Sequence, residues 1–272
     1  AMSKEKSTKF ASIFPFIVIP IILVISMLFY MFVLGAPENF EGGDPERGHP
    51  VREGIEGWYG TVYKGGPVVA ILVSIVLVVI AFSIERGITI GKARGRGRIE
   101  TFLKTIRGLI SNGQLDAAIE ECDRQKGSVA SVLRNGLVKY KAVEADHELD
   151  KEAKLAAIQK EIEEATALEL PMLSKHMVVI STCASISTLI GLIGTVIGMI
   201  RAFKALAQAG APDTIALSTG ISEALINTFI GITGSCIAII MYNYFSNKID
   251  ALTHGIDEAG FTLSQTFAST KH

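Results

Sequence analysis

Cysteine is scarce: Cys122, Cys183 and Cys236 are the only three in 272 residues. They are widely spaced and form no CxxC, which excludes a disulfide framework and a thiolate metal cluster. Cys183 and Cys236 fall inside apolar runs and read as packing residues. An excess charge of one sign is also missing, since 26 Lys+Arg stand against 27 Asp+Glu, so nothing marks a nucleic-acid binder. The chain lacks a phosphate-binding Gly-rich loop, an HExxH pair and a catalytic triad, so no hydrolase or ATPase site and no cofactor or metal is expected. Any work it performs must draw energy from elsewhere. Charged residues make up only 19% against 49% hydrophobic, too few for an ordinary soluble enzyme.

What the chain does contain is long runs without charge. Residues 10–37 carry none, and because about 20 helical residues cover roughly 30 Å of hydrocarbon, this run predicts a membrane span. Pro15 and Pro20 lie in its early turns, where a bend is tolerated. Its apolar core, about 25 residues, is too long for a signal peptide, so a retained anchor is expected. Ala1, ahead of Met2, reads as an appended residue. Residues 38–64 hold six acids, three bases and many Gly and Pro, which predicts a hydrophilic loop with one surface turn near Trp58 and Tyr59. These two and Tyr63 suit an interfacial belt before the second charge-free run, 65–84. A third run spans 176–200, and a fourth covers 214–247 with Glu223 as its single charge.

Between the second and third runs, residues 86–175 carry 16 Lys+Arg and 14 Asp+Glu, with apolar positions at helical spacing such as Phe102, Ile106, Leu109 and Ile110. Amphipathic helices follow, including a strong helix former from Asp146 to Glu169 whose Lys160, Glu161 and Glu164 read as a solvated face. The basic cluster from Arg86 to Lys104, with Lys4, Lys6 and Lys9, predicts a cytoplasmic location for the polar segment and both termini. Arg201 and Lys204 oppose that count, which suits residues lining the mouth of a path or binding a partner. The expected division is a tail and first span over 1–37, a periplasmic loop over 38–64 and a second span over 65–85. A cytoplasmic helical domain covers 86–175, a third span 176–203, a periplasmic turn 204–213, a fourth span 214–247 and a cytoplasmic tail 248–272. The fold class is an all-α polytopic membrane protein whose long helices extend into that domain.

Glu223 is the outstanding residue. A carboxylate in a span is expensive against lipid, so it should face a bundle interior or a water-filled path. The neighbouring spans are uncharged, so a pathway or coupling role is expected, with a static hydrogen-bonded acid as the alternative. Thr219 at i−4 and Asn227 at i+4 share its face, with Gly231 a turn further. Thr228 lies about 140° round the helix on an adjacent face, where back-bonding to its own helix is the bland reading. In the third span Gly191, Gly194 and Gly198 permit close backbone approach, and Thr195 would need that face to meet a lumen. Glu85 and Arg86, as sequence neighbours, are each expected to find a partner elsewhere, or Arg86 to snorkel to the headgroups. His176 is expected at the interface.

The segments CASISTLIGLIGTVIGMIRAF and GISEALINTFIGITGSCIAIIMYN, with IER at the end of the second span and the GQLDAAIEECDRQKGSVASVLRNGL helix pair, resemble the MotA/TolQ/ExbB proton-channel family, ExbB most closely and then TolQ. The resemblance implies an inner-membrane homopentamer enclosing the membrane helices of two ExbD-like subunits, with a TonB-like protein as the energised partner and lipid around it. It implies that Thr195, Glu223 and Thr228 face the ion route and places the family's ER pair on Glu85 and Arg86. The additional first span, and Ile237 where a proline is usual, depart from the family pattern.

Overall fold

In the computed structural model, which describes residues 2–45, 48–52, 54–145, 150–207 and 213–269, the chain is all-helical. The helices are α1 (Met2–Phe29), α2 (Gly54–Tyr63), α3 (Val68–Ala93), α4 (Ile99–Ser111), α5 (Leu115–Gln125), α6 (Gly127–Glu144), α7 (Lys151–Ser174), α8 (Met177–Leu206) and α9 (Thr214–Ser269). Among the described residues four helical stretches are long and apolar enough to cross a membrane: Ile13–Leu34, Val68–Ala93, Lys151–Leu206 and Thr214–Ser269. The third is α7 and α8 in sequence, broken at His176, whose φ is +65°. The architecture is therefore that of a multi-pass membrane protein.

The chain forms two compact units, one from Ala1–Ser83 with Val178–Tyr242 and one from Ile84–Met177 with Asn243–His272. In the first, Pro15 and Pro20 sit inside α1 without ending it. A π turn at Tyr30–Leu34 follows, and the Asn39 side-chain amide donates to the Val33 and Leu34 carbonyls at 2.7 and 2.9 Å. That satisfies carbonyls a helix end leaves open. Tyr30 stacks on Tyr63 at 4.7 Å, and Ser26 Oγ donates to the Ala70 carbonyl, joining α1 to α3. Residues 54–63 are a helix rather than a loop with one turn: Gly57 and Gly60 face inward, where a Cβ would strike the Val51 and Asn39 carbonyls. Close packing overrides low helix propensity there.

In the second unit α4 to α7 bury the faces their periodicity predicts, around Phe102, Ile106, Ile110, Leu133, Leu137, Tyr140 and Ile158. Asp150 caps α7, its Oδ1 accepting the Ala153 amide at 2.7 Å; positions 146–149 of the expected helix lie outside the described residues. The expected tail at 248–272 is instead helical to Ser269. Leu252, Ile256, Ala259, Leu263 and Phe267 recur every three or four residues and enter the same core, Phe267 meeting Tyr140 edge-on at 4.8 Å. A polar sequence with one apolar stripe reads as a tail only until the stripe has something to cover it.

Candidate functional site

Small residues bring α8 and α9 into backbone contact. A Cβ on Gly191 would lie 3.1 Å from Gly231 Cα, and one on Gly198 would lie 2.6 Å from the Gly220 carbonyl oxygen. Gly194 faces the Asn227 side chain, which leaves no room for a Cβ. The Gly191, Gly194 and Gly198 face is therefore spent within the chain, as is Gly231. Ser187 Oγ adds a hydrogen bond to the Gly231 carbonyl at 2.9 Å.

This seam carries Asn227 and Glu223 to the start of α3. Asn227 is fully buried, and its Nδ2 donates to the Gly65 carbonyl at 2.8 Å while Oδ1 has no partner among the described residues. Glu223 is 2% exposed and accepts from Arg201 Nη1 through both carboxylate oxygens at 2.7 Å. Gly66 completes the cradle, since at φ +77° a Cβ would stand 2.6 Å from Glu223 Oε1. A basic partner that the uncharged spans did not make obvious thus stands beside Glu223. Arg201, singled out as suited to the mouth of a path, lines the neighbouring cavity; its pairing with Glu223 escapes a count of uncharged residues because a guanidinium just beyond the third run reaches several ångströms back along its helix. Burial of the acid is as expected.

Beside this pair lies a cavity of about 660 Å³. His49, Lys64, Asp213, Thr219, Arg201 and Glu223 line it, so acid, base and hydroxyl groups share one space with room for many water molecules. The Thr219 hydroxyl donates to the Ile215 carbonyl at 2.9 Å. Thr195 and Thr228 are half-buried and donate to the Leu192 and Ala224 carbonyls at 2.5 and 3.1 Å. Neither threonine is hydrogen-bonded to Glu223. A serine-rich groove of about 290 Å³, lined by Ser181, Ser185, Thr188, Ser235 and Tyr242, was not anticipated. Its sequence signal was the i, i+4 spacing of Ser181 and Ser185.

A second charged cluster forms in the other unit. Arg86, 2% exposed, donates from Nε and Nη2 to its own neighbour Glu85 at 2.7 and 2.5 Å, and from Nη1 to the Leu173 carbonyl at 3.3 Å. His176 Nδ1 lies 3.2 Å from Glu85 Oε2, and Thr89 donates to Oε1 at 3.1 Å. Glu85 and Arg86 thus find the partners expected elsewhere, His176 and Thr89 for the acid and the Leu173 carbonyl for the base, but they also pair with one another, and the buried guanidinium does not snorkel. Adjacent Cβ atoms diverge on a helix, but the length of arginine lets the fork fold back onto the carboxylate. Among the described residues no group of three or more His, Cys, Asp or Glu side chains is arranged to hold a metal.

Residues 125–258 match the MotA/TolQ/ExbB proton channel family. The Tol-Pal system protein TolQ of Pseudomonas aeruginosa is 29% identical over 136 residues, 47% of this chain and 59% of that protein. TolQ of Haemophilus influenzae is 36% identical over 109 residues, 38% of this chain and 48% of its own length. The biopolymer transport protein ExbB of Pseudomonas putida is 24% identical over 159 residues, 57% of this chain and 48% of its own. The chain thus spans about half the length of these curated relatives.

Proposed function

Because residues 125–258 match the MotA/TolQ/ExbB proton channel family, we propose that the chain belongs to it and is an inner-membrane proton-channel and motor subunit of the ExbB kind. In this reading five copies enclose two ExbD-like subunits and use the proton motive force to energise a TonB-like protein for outer-membrane transport. The observation that carries it is a buried carboxylate, Glu223, within the matched segment and beside a polar cavity. A charge crossing the membrane is worth about 2.3 kcal/mol per 100 mV, enough to move a packed helix between two arrangements.

Chemically, Glu223 as an anion is held by Arg201. A proton arriving on either carboxylate oxygen removes the charge, weakens the pair and frees the half-exposed guanidinium to turn into the cavity. Loss of the proton restores the pair. Thr195 and Thr228 act differently. A hydroxyl that donates to its own helix keeps acceptor lone pairs, so each can receive a hydrogen bond from a protonated acid on a partner helix. Asn227 Oδ1 offers a further open acceptor one turn from Glu223. Glu85, Arg86 and His176 belong to a separate cluster that ties the end of α7 to α3.

Similarity to two TolQ proteins supports a second reading, a TolQ-like motor with the same ion route and a different output, and a MotA-like stator belongs to the same class. Proton flux into vesicles containing this chain and its co-expressed one-span partner is the test. Flux that depends on the partner and is lost in Glu223→Gln, with Glu169→Gln nearly unaffected, is the expected result. Equal flux in Glu223→Gln removes the titrating role, and no flux with any partner leaves a structural membrane scaffold. Rescue of iron-siderophore uptake rather than of envelope integrity in the corresponding deletion strains separates the two outputs.

A further inference from the structure

The second unit contains a groove of about 560 Å³ between Gly87 to Arg94, at and just past the C-terminal end of α3, and the stretch Tyr244 to Glu258 of α9. Two glycines open it. Gly87 and Gly91 stand one helical turn apart, and a Cβ on Gly87 would touch only the Phe245 ring at 3.9 Å while one on Gly91 would meet nothing within 4 Å. The walls are apolar, with Ile90, Phe245 and Leu252 all buried. The rim is basic: Arg94 and Lys248 line it, and neither is in a salt bridge among the described residues. Arg98 and His254 also line it; Arg98 is held by Glu100, and Glu258 is the remaining acid. Lys248 is steadied 5.6 Å above the Tyr244 ring.

Position along the chain identifies the occupant. The charge-free run leading into α3 ends at Ile84 and that of α9 ends at Asn247, so both helices reach the groove as they leave their hydrocarbon-compatible stretches. Basic residues at that level face phosphate headgroups, and an apolar cleft beside them suits the glycerol and acyl portion that a free anion lacks. We propose that this groove binds an anionic phospholipid, its phosphate between Arg94 and Lys248 and its first acyl carbons against Ile90 and Phe245. The site needs only that the two helices cross the membrane, and is independent of whether the protein conducts ions.

Native mass spectrometry of the full protein with its partner, extracted mildly and exchanged into phosphatidylglycerol or phosphatidylcholine, tests this. Retained phosphatidylglycerol is expected to fall about ten-fold in Arg94→Gln/Lys248→Gln and to survive in Lys248→Arg. Gly91→Leu fills the groove while leaving every charge in place, and the same loss is expected. Equal retention of phosphatidylcholine, undiminished phosphatidylglycerol in Gly91→Leu, or displacement by millimolar inorganic phosphate alone would overturn the proposal. So would cysteine cross-linking that shows a second copy of the chain seated in the groove.

Discussion

Glu223 and Arg201 hold one another at a place where neither has an easy alternative. The acid is buried against Gly66, and the base is 54% exposed at the cavity edge. Removing the base strands a carboxylate, whereas removing both leaves a neutral seam. Arg201→Gln should therefore lower the yield of folded protein, by less than the roughly 3–5 kcal/mol of a fully buried pair because solvent screens the guanidinium. Arg201→Gln/Glu223→Gln should recover yield in a detergent melting assay but not proton flux. Double-variant yield below that of the single change would show that the pair is not the reason for the defect. Cys122 offers a different test. Burial, aided by Asp123 and Glu121, raises its thiol from 9.0 to about 12. A folded-state value raised above the unfolded one contributes stability that is whole below pH 9.0 and lost as pH rises towards about 12. The alkaline loss of stability in the second unit should be shallower in Cys122→Ala, measured by helix signal against pH.

At the scale of the element, α9 shows why a charge-free run is not a helix boundary. Its span was legible from 214 to 247 because lipid demands continuous apolarity. Its continuation to Ser269 was not, since a stripe of Leu252, Ile256, Ala259, Leu263 and Phe267 needs a specific partner surface. Leu263 is fully buried, and a Cβ on Gly136 would press to 2.7 Å from it. Leu263→Ala should cost about 2–5 kcal/mol and expose the second unit to protease, while truncation after Asn247 should do the same more severely. Unchanged protease resistance in both would reduce residues 248–269 to an appendage. At the other end of the size range, Asp150→Ala should cost about 1 kcal/mol through loss of the α7 cap.

For the whole molecule, the basic flanks make the orientation testable without reference to ion flow. In a cysteine-free background an impermeant thiol reagent applied to intact spheroplasts should label Glu38→Cys and spare Lys104→Cys, both exposed positions. The opposite pattern would invert the proposed topology. In the proposed assembly the small-residue faces are not the surfaces that copies present to one another. Gly191, Gly194 and Gly198 are consumed against α9, so it is the outward Leu192, Ile193, Val196 and Ile200 of α8 that meet lipid or a neighbour. Five copies alone, and five plus two with an ExbD-like partner, are the masses expected. A stable monomer would remove the motor while leaving the four spans untouched.

Everything that depends on runs and periods was determined by the sequence alone: the helical class, four apolar stretches, the amphipathic helices of the polar segment and the singular position of Glu223. Lipid and water sort residues by average polarity, and averages survive without coordinates. Which groups touch was decided only by the tertiary structure. The Arg201 pair, the folding of Arg86 back onto Glu85, the burial of His176 and the seating of α9's polar half depend on where side chains end. A guanidinium or a single Cβ alters that by several ångströms without changing any pattern in the chain.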